Sequence, residues 1–277
     1  MAWQKLTSTD GFIIWDLGEV PAVGIVRLAP KVLRDGAELL ARSTTYAAAS
    51  FGLQVGGGSA GLNAKDDRDA AVAAFVEEVA PLVESGRWLV GPGAGLSDAD
   101  LAGLPRPDQR ALAFDPAVQA AGALAAARAL APDGTIAVTG PGPVAQAAAA
   151  LDGVEAGELD AGADVLLLAG KSGVVDHEGA AGIKARVVVP LTPVPVTARA
   201  LAVLGRADTV VVPDFLSTAA PLLAALAPDG GDPVERVGAA VAELAGEGTG
   251  LWLAAAQRAE VHLRTWQDKL PFGRPLA

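Results

Sequence analysis

The sequence contains no cysteine, only two histidines (His177 and His262), and few aromatic residues, which make up 4% of its 277 residues. Without cysteine the chain has no disulfide, no thiolate nucleophile and no cysteine metal site. Two histidines are too few for a histidine-rich site, so we expect no metal cofactor. Any catalysis would depend on Lys, Asp, Glu, Ser or Thr side chains, or on a bound cofactor.

Positive charge is also in short supply, because 21 Lys and Arg face 32 Asp and Glu, a formal net charge of −11. An acidic surface repels phosphate backbones and anionic lipids, so we expect neither nucleic acid nor a membrane as a partner. The first residues lack the apolar core of a signal peptide. The apolar stretch 117–131 is alanine-rich and too short to cross a bilayer. Together with the absence of cysteine, this favours a cytoplasmic protein.

The first part of the chain alternates strand and helix patterns. We predict strands at 11–19, 21–28, 51–55 and 87–90, helices at 31–49 and 68–85, and a short helical segment at 96–104 capped by Ser97. A break follows at 105–116. The pattern predicts an α/β domain over residues 1–115.

The second part reads as a parallel sheet. Apolar strands are predicted at 135–139, 164–168, 186–190 and 209–213, each separated from the next by a helical stretch. Uninterrupted Val and Leu runs are typical of strands that are buried on both faces. Such βαβ units predict a Rossmann-like doubly wound domain over residues 116–245. The remaining residues, 246–277, are predicted as a C-terminal helix that packs back toward the first domain.

A glycine-containing turn joins the strand at 135–139 to the helix that follows. The G-x-G-x-x-A turn consists of Gly140, Pro141, Gly142, Pro143, Val144 and Ala145. In a dinucleotide site the glycines allow a tight turn and a close approach of backbone to pyrophosphate, which binds at the helix start. A tight turn that needs small residues only for packing is the alternative interpretation.

Two features weaken the dinucleotide interpretation. The chain has barely room for the second strand, whose last residue is normally an acid that holds the ribose hydroxyl. Glu155, Glu158 and Asp160 are possible substitutes, and no preference between NAD and NADP follows. The two prolines of the turn also remove two backbone donors.

Residues 41–59, ARSTTYAAASFGLQVGGGS, resemble the substrate-domain motif of the Glu/Leu/Phe/Val amino acid dehydrogenases, leucine dehydrogenases in particular. The order of motifs over 11–265 agrees, since the glycine turn is followed by DVLLLAG at 164–170 and PDFLSTAA at 213–220. The resemblance implies two α/β domains, of which residues 1–115 form the N-terminal α/β substrate-type and dimerisation domain. It implies NAD or NADP as cofactor and a small-molecule ligand in an interdomain cleft. It implies a substrate side formed by Gly56, Gly57, Gly58, Ser59 and Thr218. It implies a cofactor side formed by the glycine turn with Ala169 and Gly170.

The charged groups of the family are missing at the matching positions. The lysine that grips the substrate carboxylate is Ala47 here, the lysine that activates water is Ser59, and the proton-shuttling acid is Gly93. A buried carboxylate without a cation costs several kcal/mol, and the loss of a positioned acid or base costs about 10²- to 10⁴-fold in rate. The resemblance therefore implies a divergent member that lacks the catalytic lysines and is unable to carry out NAD-dependent oxidative deamination.

Other charged residues offer weak substitutes. Lys171 follows Ala169 and Gly170 at the carboxyl end of a predicted parallel strand, where ligands bind in open α/β sheets. The simpler interpretation of Lys171 is a solvated loop lysine. The same solvated interpretation applies to Lys65 and to Arg42, which lies on the helix before the motif. The 176–178 segment reads as a charged turn, and His262 reads as structural.

Three functions stay open at this stage. The first is a ligand- or partner-binding protein, in effect a pseudoenzyme. The second is an NAD(P)-dependent oxidoreductase with an altered substrate. The third is a non-redox lyase or isomerase that uses Lys171 or Ser59. A homodimer is expected, because residues 12–15 (FIIW) would offer an apolar sheet edge.

Overall fold

The computed structural model describes residues 1–105 and 115–277, and the predicted break at 105–116 falls largely outside them. The chain divides into two compact units. The first comprises Met1–Phe114 and Trp266–Arg274, and the second comprises Asp115–Thr265 and Pro275–Ala277. Each unit has a five-stranded sheet with helices, so the predicted α/β fold class is confirmed.

The first unit combines antiparallel and parallel strands. Its elements are β1 (Ala2–Lys5), β2 (Gly11–Trp15), β3 (Ala22–Ala29), α1 (Arg34–Ser50), β4 (Gly56–Asn63), α2 (Arg68–Glu84), β5 (Trp88–Pro92) and a 3₁₀ helix, Asp98–Leu101. The sheet order is β1-β2-β4-β3-β5, in which β3 pairs in parallel with β4 and β5. The predicted N-cap at Ser97 is confirmed, since Ser97 and Asp100 form a capping box.

The core of the first unit is built on its tryptophans. The ring of Trp88 packs edge-on against Trp15 and Phe75, with centroids 5.2 and 6.1 Å apart. Phe75 and Val79 of α2 are fully buried in the same cluster as Leu62 of β4. The apolar positions of α2 recur at helical spacing, so this side of the sheet is covered by α2.

The three consecutive glycines lie within a strand. The predicted strand at 51–55 is wrong, because those residues form the turn after α1 and β4 begins at Gly56. A Cβ added at Gly57 would lie 1.8 Å from the carbonyl oxygen of Ala41 in α1. Glycine is a poor strand former, so no local pattern indicates β4 here. The close approach of α1 is what requires glycine at position 57.

The apolar segment 12–15 lies inside the sheet. Strand β2 pairs with β1 on one side and with β4 on the other, and Ile13 and Ile14 are fully buried. The expectation of an apolar edge at these residues is wrong, because residues 2–5 add the exposed strand β1. The homodimer stays a prediction.

The second unit holds a wholly parallel sheet in the order β10-β9-β8-β6-β7. Its strands are β6 (Ile136–Thr139), β7 (Val154–Ala156), β8 (Val165–Leu168), β9 (Val187–Pro190) and β10 (Val210–Val211). Its helices are α3 (Pro116–Leu130), α4 (Pro143–Ala149), α5 (His177–Gly182), α6 (Ala198–Arg206), α7 (Asp214–Ser217), α8 (Ala220–Leu226), α9 (Pro233–Ala242) and α10 (Leu251–Leu263). Short 3₁₀ segments cover Pro228–Gly230 and Ala245–Gly250. The four apolar strands predicted for this domain are confirmed.

The second strand is present, although the sequence left barely room for it. Strand β7 pairs in parallel with β6, placing Glu155 opposite Ala137 and Ala156 opposite Val138. It is only three residues long and lies at the sheet edge, where Glu155 and Ala156 are exposed. An exposed edge strand needs no apolar run, so hydrophobic patterning did not reveal it.

The C-terminal residues are shared between the units. Helix α10 belongs to the second unit, where Trp252 packs edge-on against Phe215 with centroids 5.7 Å apart. Residues 266–274 belong to the first unit, in which the Arg42 guanidinium donates to the carbonyl oxygens of Phe272 and Gly273. Residues 246–277 are predicted as one segment, whereas in the structure they divide after the helix. Among the described residues, no helix is both long and apolar enough to cross a membrane.

The contact between α1 and β4 yields a direct test. We expect Gly57→Ala to lower the free energy of unfolding by about 3 kcal/mol or more, since the new methyl group collides with backbone. Gly205→Ala is the control, because Gly205 lies in α6 with nothing within 4 Å of an added Cβ. That variant should be neutral or more stable by up to about 1 kcal/mol. Urea unfolding measures both, and equal stabilities would contradict the role of Gly57.

Candidate functional site

Ser59, predicted on the substrate side, and Gly93, at the predicted position of the family's acid, lie on either side of strand β3. Ser59 of β4 lies opposite Ile25 of β3, and Gly93 follows the end of β5 on the other side. A Cβ added at Gly93 would lie 3.0 Å from the Ile25 side chain and 2.9 Å from Cγ of Arg27. The structure thus places Ser59 and Gly93 on the two flanks of β3. Neither side chain ionises.

Ala47 and Ser59 are both enclosed. Ala47 lies in α1 and Ser59 in β4, with exposures of 6% and 0%. The Ser59 hydroxyl oxygen is buried and has no hydrogen-bond partner in the described part of the chain. A buried hydroxyl that makes no hydrogen bond is unfavourable, so position 59 is not optimised for stability alone.

A side-chain hydrogen bond fixes α1 on β4. The Thr45 hydroxyl accepts a hydrogen bond from the backbone N–H of Gly57 at 2.8 Å and donates to the carbonyl oxygen of Ala41 at 3.2 Å. Thr45 is fully buried. The bond sets the position of the helix, and with it that of Ala47, relative to the three glycines.

Arg42 is buried and paired, so its interpretation as a solvated residue is wrong. Its Nε lies 2.7 and 2.9 Å from the two carboxylate oxygens of Asp16, and the two side chains are 6% and 0% exposed. Its partner lies 26 residues away in the sequence, and local patterns do not report such pairs. The one available signal was an aspartate directly after the apolar strand β2.

Arg27 is the charged residue of this region that sequence reasoning missed. It is half-buried in β3, and its Nε and Nη2 are buried with no hydrogen-bond partner among the described residues. Its Nη1 lies 3.9 Å from the place that a Cβ of Gly36 would occupy, in the first turn of α1. Burial lowers the pKa of the Arg27 guanidinium from its ordinary value. The guanidinium is nevertheless charged at any physiological pH.

In the second unit the structure brings the glycine turn next to the end of β8. Gly140 has φ +99°, and a Cβ there would lie 1.9 Å from the carbonyl oxygen of Ala169. The Ala169 N–H donates to the Thr139 carbonyl oxygen at 2.9 Å. Gly142 has φ +104°, is exposed, and has nothing within 4 Å of an added Cβ. The turn therefore has open space in front of Gly142.

The other predicted positions of this unit follow the neighbouring strands. Gly170 exchanges two hydrogen bonds with Thr192, since its N–H donates to the hydroxyl at 3.0 Å and the hydroxyl donates to its carbonyl oxygen at 2.7 Å. Lys171, the next residue, is exposed. Thr218 ends α7 and donates to the Asp214 carbonyl oxygen at 2.8 Å. Because the strands are parallel, these loops share the carboxyl edge of the sheet, where ligands bind in open α/β folds.

Asp176 and His177 lie at the start of the short helix α5. The Asp176 carboxylate caps α5 by accepting from the N–H groups of Gly179 and Glu178, and these bonds lower its pKa. Within residues 1–105 and 115–277, no three His, Asp or Glu side chains could hold a metal ion together.

Solved structures of amino acid dehydrogenases resemble this chain, whereas no protein-family model and no curated protein matches it. The hetero-hexameric glutamate dehydrogenase from Thermus thermophilus, in its leucine-bound form, aligns with TM-score 0.74 and 21% identity over 94% of this chain and 86% of that chain. The L-tryptophan dehydrogenase from Nostoc punctiforme aligns with TM-score 0.69 and 18% identity over 92% of each chain. A further glutamate dehydrogenase aligns with TM-score 0.73 and 14% identity over 97% of this chain and 87% of that chain. The chain therefore has the amino acid dehydrogenase fold.

Two adjacent threonines of α1 test whether the hydrogen bond between Thr45 and Gly57 fixes this helix on β4. We expect Thr45→Val to lower the free energy of unfolding by about 1–3 kcal/mol, because the Gly57 N–H loses its acceptor. Thr44→Val is the control, since the Thr44 hydroxyl donates only within the helix, to the Leu40 carbonyl oxygen at 3.0 Å. That change should cost less than about 0.5 kcal/mol. Urea unfolding compares the two, and equal losses would show that the bond to Gly57 contributes little.

Proposed function

We propose that this chain is a ligand-binding protein with the amino acid dehydrogenase fold, and that it does not carry out oxidative deamination. One observation carries the proposal. The three positions that match the family's two lysines and its acid hold Ala47, Ser59 and Gly93, and Ser59 and Gly93 flank the same strand. A methyl group, a hydroxyl group and a hydrogen atom replace the charged groups.

The chemistry of deamination depends on groups that these residues do not supply. A general base needs a pKa near the working pH, and neither a serine hydroxyl nor an alanine methyl meets that condition without an adjacent base. The Ser59 hydroxyl has no hydrogen-bond partner among the described residues, so no such base activates it. The first unit thus keeps the backbone of the family's site but lacks the side chains that would transfer protons.

A second candidate function is an NAD(P)-dependent oxidoreductase with an altered substrate. The exposed turn at Gly142, with open space in front of it, favours this candidate. NAD(P), when bound, would supply the hydride acceptor. Gly142, Val144 and Ala145 have backbone N–H groups that could face a pyrophosphate, whereas the prolines of the turn contribute none.

Strand β7 adds to the fit of a dinucleotide. It supplies the second strand of the nucleotide-binding half, and the exposed Glu158 follows its last residue by two positions. An acidic residue near the end of this strand is the group that holds a ribose hydroxyl in such folds. The turn and the strand together fit the cofactor better than the sequence alone indicated.

The proposed loss of deamination is tested by direct assay. We expect no formation of NADH or NADPH when the purified chain is incubated with L-glutamate, L-leucine, L-valine, L-phenylalanine or L-tryptophan and either oxidised cofactor. The physical reason is the absence of an acid–base group at Ala47, Ser59 and Gly93. A glutamate dehydrogenase assayed in parallel is the positive control. Turnover of any of these amino acids would overturn the proposal.

Cofactor binding is tested by thermal unfolding with NAD⁺, NADH, NADP⁺ and NADPH. A cofactor at 100 times its Kd adds about 2.7 kcal/mol to the folded state, so binding raises Tm. We expect Gly142→Asp to abolish the rise, because the new carboxylate repels pyrophosphate. Gly231→Asp is the matched control, since Gly231 also has positive φ (+88°) and open space. No rise with any of the four cofactors would exclude the oxidoreductase candidate.

A further inference from the structure

The Arg27 side chain lies over the position where the family's acid is absent. Its Cγ is 2.9 Å from the place that a Cβ of Gly93 would occupy, so any larger residue at 93 would displace it. Its Nη1 reaches toward Gly36 in the first turn of α1. The aliphatic part of Arg27 therefore occupies the space beside Gly93 where the resemblance predicts a carboxylate, and its guanidinium extends toward the start of α1.

The guanidinium has no counter-charge in the described part of the chain. Both Nε and Nη2 are buried and make no hydrogen bond there. A guanidinium has five N–H donors and does not lose its charge, so an unpaired and partly buried one opposes folding. By contrast, the buried Arg42 of the same unit is fully engaged with Asp16. Arg42 shows how a buried arginine with a structural role finds a carboxylate partner in this fold.

The start of helix α1 lies beside the Arg27 guanidinium. Helix α1 has 17 residues, and its N-cap, Leu33, makes no side-chain cap hydrogen bond. The first-turn N–H groups of a helix carry partial positive charge. Asp35, the acidic residue of that turn, is exposed to solvent. The unpaired hydroxyl of Ser59 lies opposite Ile25, two residues before Arg27 and on the same face of the sheet.

We propose that Arg27 binds the anionic group of the ligand, a carboxylate or a phosphate, by paired N–H···O hydrogen bonds at the start of α1, beside the position of the missing acid. The planar guanidinium matches the two oxygens of either group. The assignment rests on the proposed ligand-binding function and adds the ligand class to it, an organic acid or a phosphate rather than a neutral molecule. Gly93 takes part by leaving the space that the Arg27 side chain occupies.

The test uses the full-length chain and three probes. These are 2-oxobutanoate as the carboxylate, inorganic phosphate, and 2-oxobutanamide as the neutral match of the first, all at one ionic strength set with sodium chloride. Calorimetric titration and thermal unfolding report binding. We expect at least one anion to bind and raise Tm, and the neutral amide to do neither. The two anion arms decide between carboxylate and phosphate.

Substitution of Arg27 separates a binding role from a structural one. We expect Arg27→Met to weaken anion binding by about ten- to hundredfold, the value of a charged hydrogen-bonded contact. In the ligand-free protein its Tm should equal or exceed that of the wild type, since an unpaired charge has been removed. Arg258→Met is the matched control, because Arg258 forms an exposed ion pair with Glu243 in the second unit and should leave anion binding unchanged. Arg27→Lys keeps the charge, loses the planar fork, and should bind with intermediate affinity.

The outcomes distinguish this assignment from the proposed function. Equal anion binding by the wild type and Arg27→Met overturns the assignment and leaves the proposed function standing. Deamination of an amino acid, together with loss of anion binding in Arg27→Met, overturns the proposed function and supports the assignment. No binding of either anion by the wild type up to about 10 mM, beyond the millimolar Kd of a weak site, also overturns the assignment. If Arg27→Met does not fold, unchanged binding in Arg27→Lys overturns it.

Discussion

The close approach of helix α1 to strand β4 is the constraint on which the first unit depends. At Gly57 the carbonyl oxygen of Ala41 occupies the space that any side chain would need. The Thr45 hydroxyl accepts the Gly57 N–H at the same place. Glycine is therefore a packing requirement here, whatever it does for a ligand. The position of Ser59, two residues further along β4, follows from this contact.

Two arginines of the first unit, Arg42 in α1 and Arg27 in β3, are held in different ways. Arg42 joins Asp16 and the carbonyl oxygens of the 266–274 segment, so it holds three separate parts of the unit together. Breaking one side of a buried ion pair leaves the other charge uncompensated, which is why such a residue is structural. Arg27 lies beside the start of the helix with two unpaired nitrogens. Arg42 is thus paired within the protein, whereas Arg27 keeps N–H groups that no described residue accepts, and the proposed ligand would pair with them.

Fold and function separate clearly in this protein. The solved structures that resemble it, at 21% identity or less, establish the arrangement of strands and helices. Function depends on the groups that the fold carries, and one fold serves many chemistries. Residues 47, 59 and 93 are small and neutral, and the half-buried Arg27 lies in β3 beside Gly93. The proposed role of this region is therefore to hold an anion rather than to transfer protons.

The sequence by itself determined the elements that have a strong local signal, which are the apolar parallel strands of the second unit, the helices α1 and α2, and the glycine turn. Periodicity, caps and motifs report on neighbours along the chain, so these features could be predicted. Only the tertiary structure decided that β4 begins at Gly56, that β1 covers β2, and that three exposed residues form β7. Only the tertiary structure decided that Arg42 pairs with Asp16 and that Arg27 has two nitrogens without a partner in the described part of the chain. Burial and partners depend on strands that are distant in sequence, so local patterns do not report them.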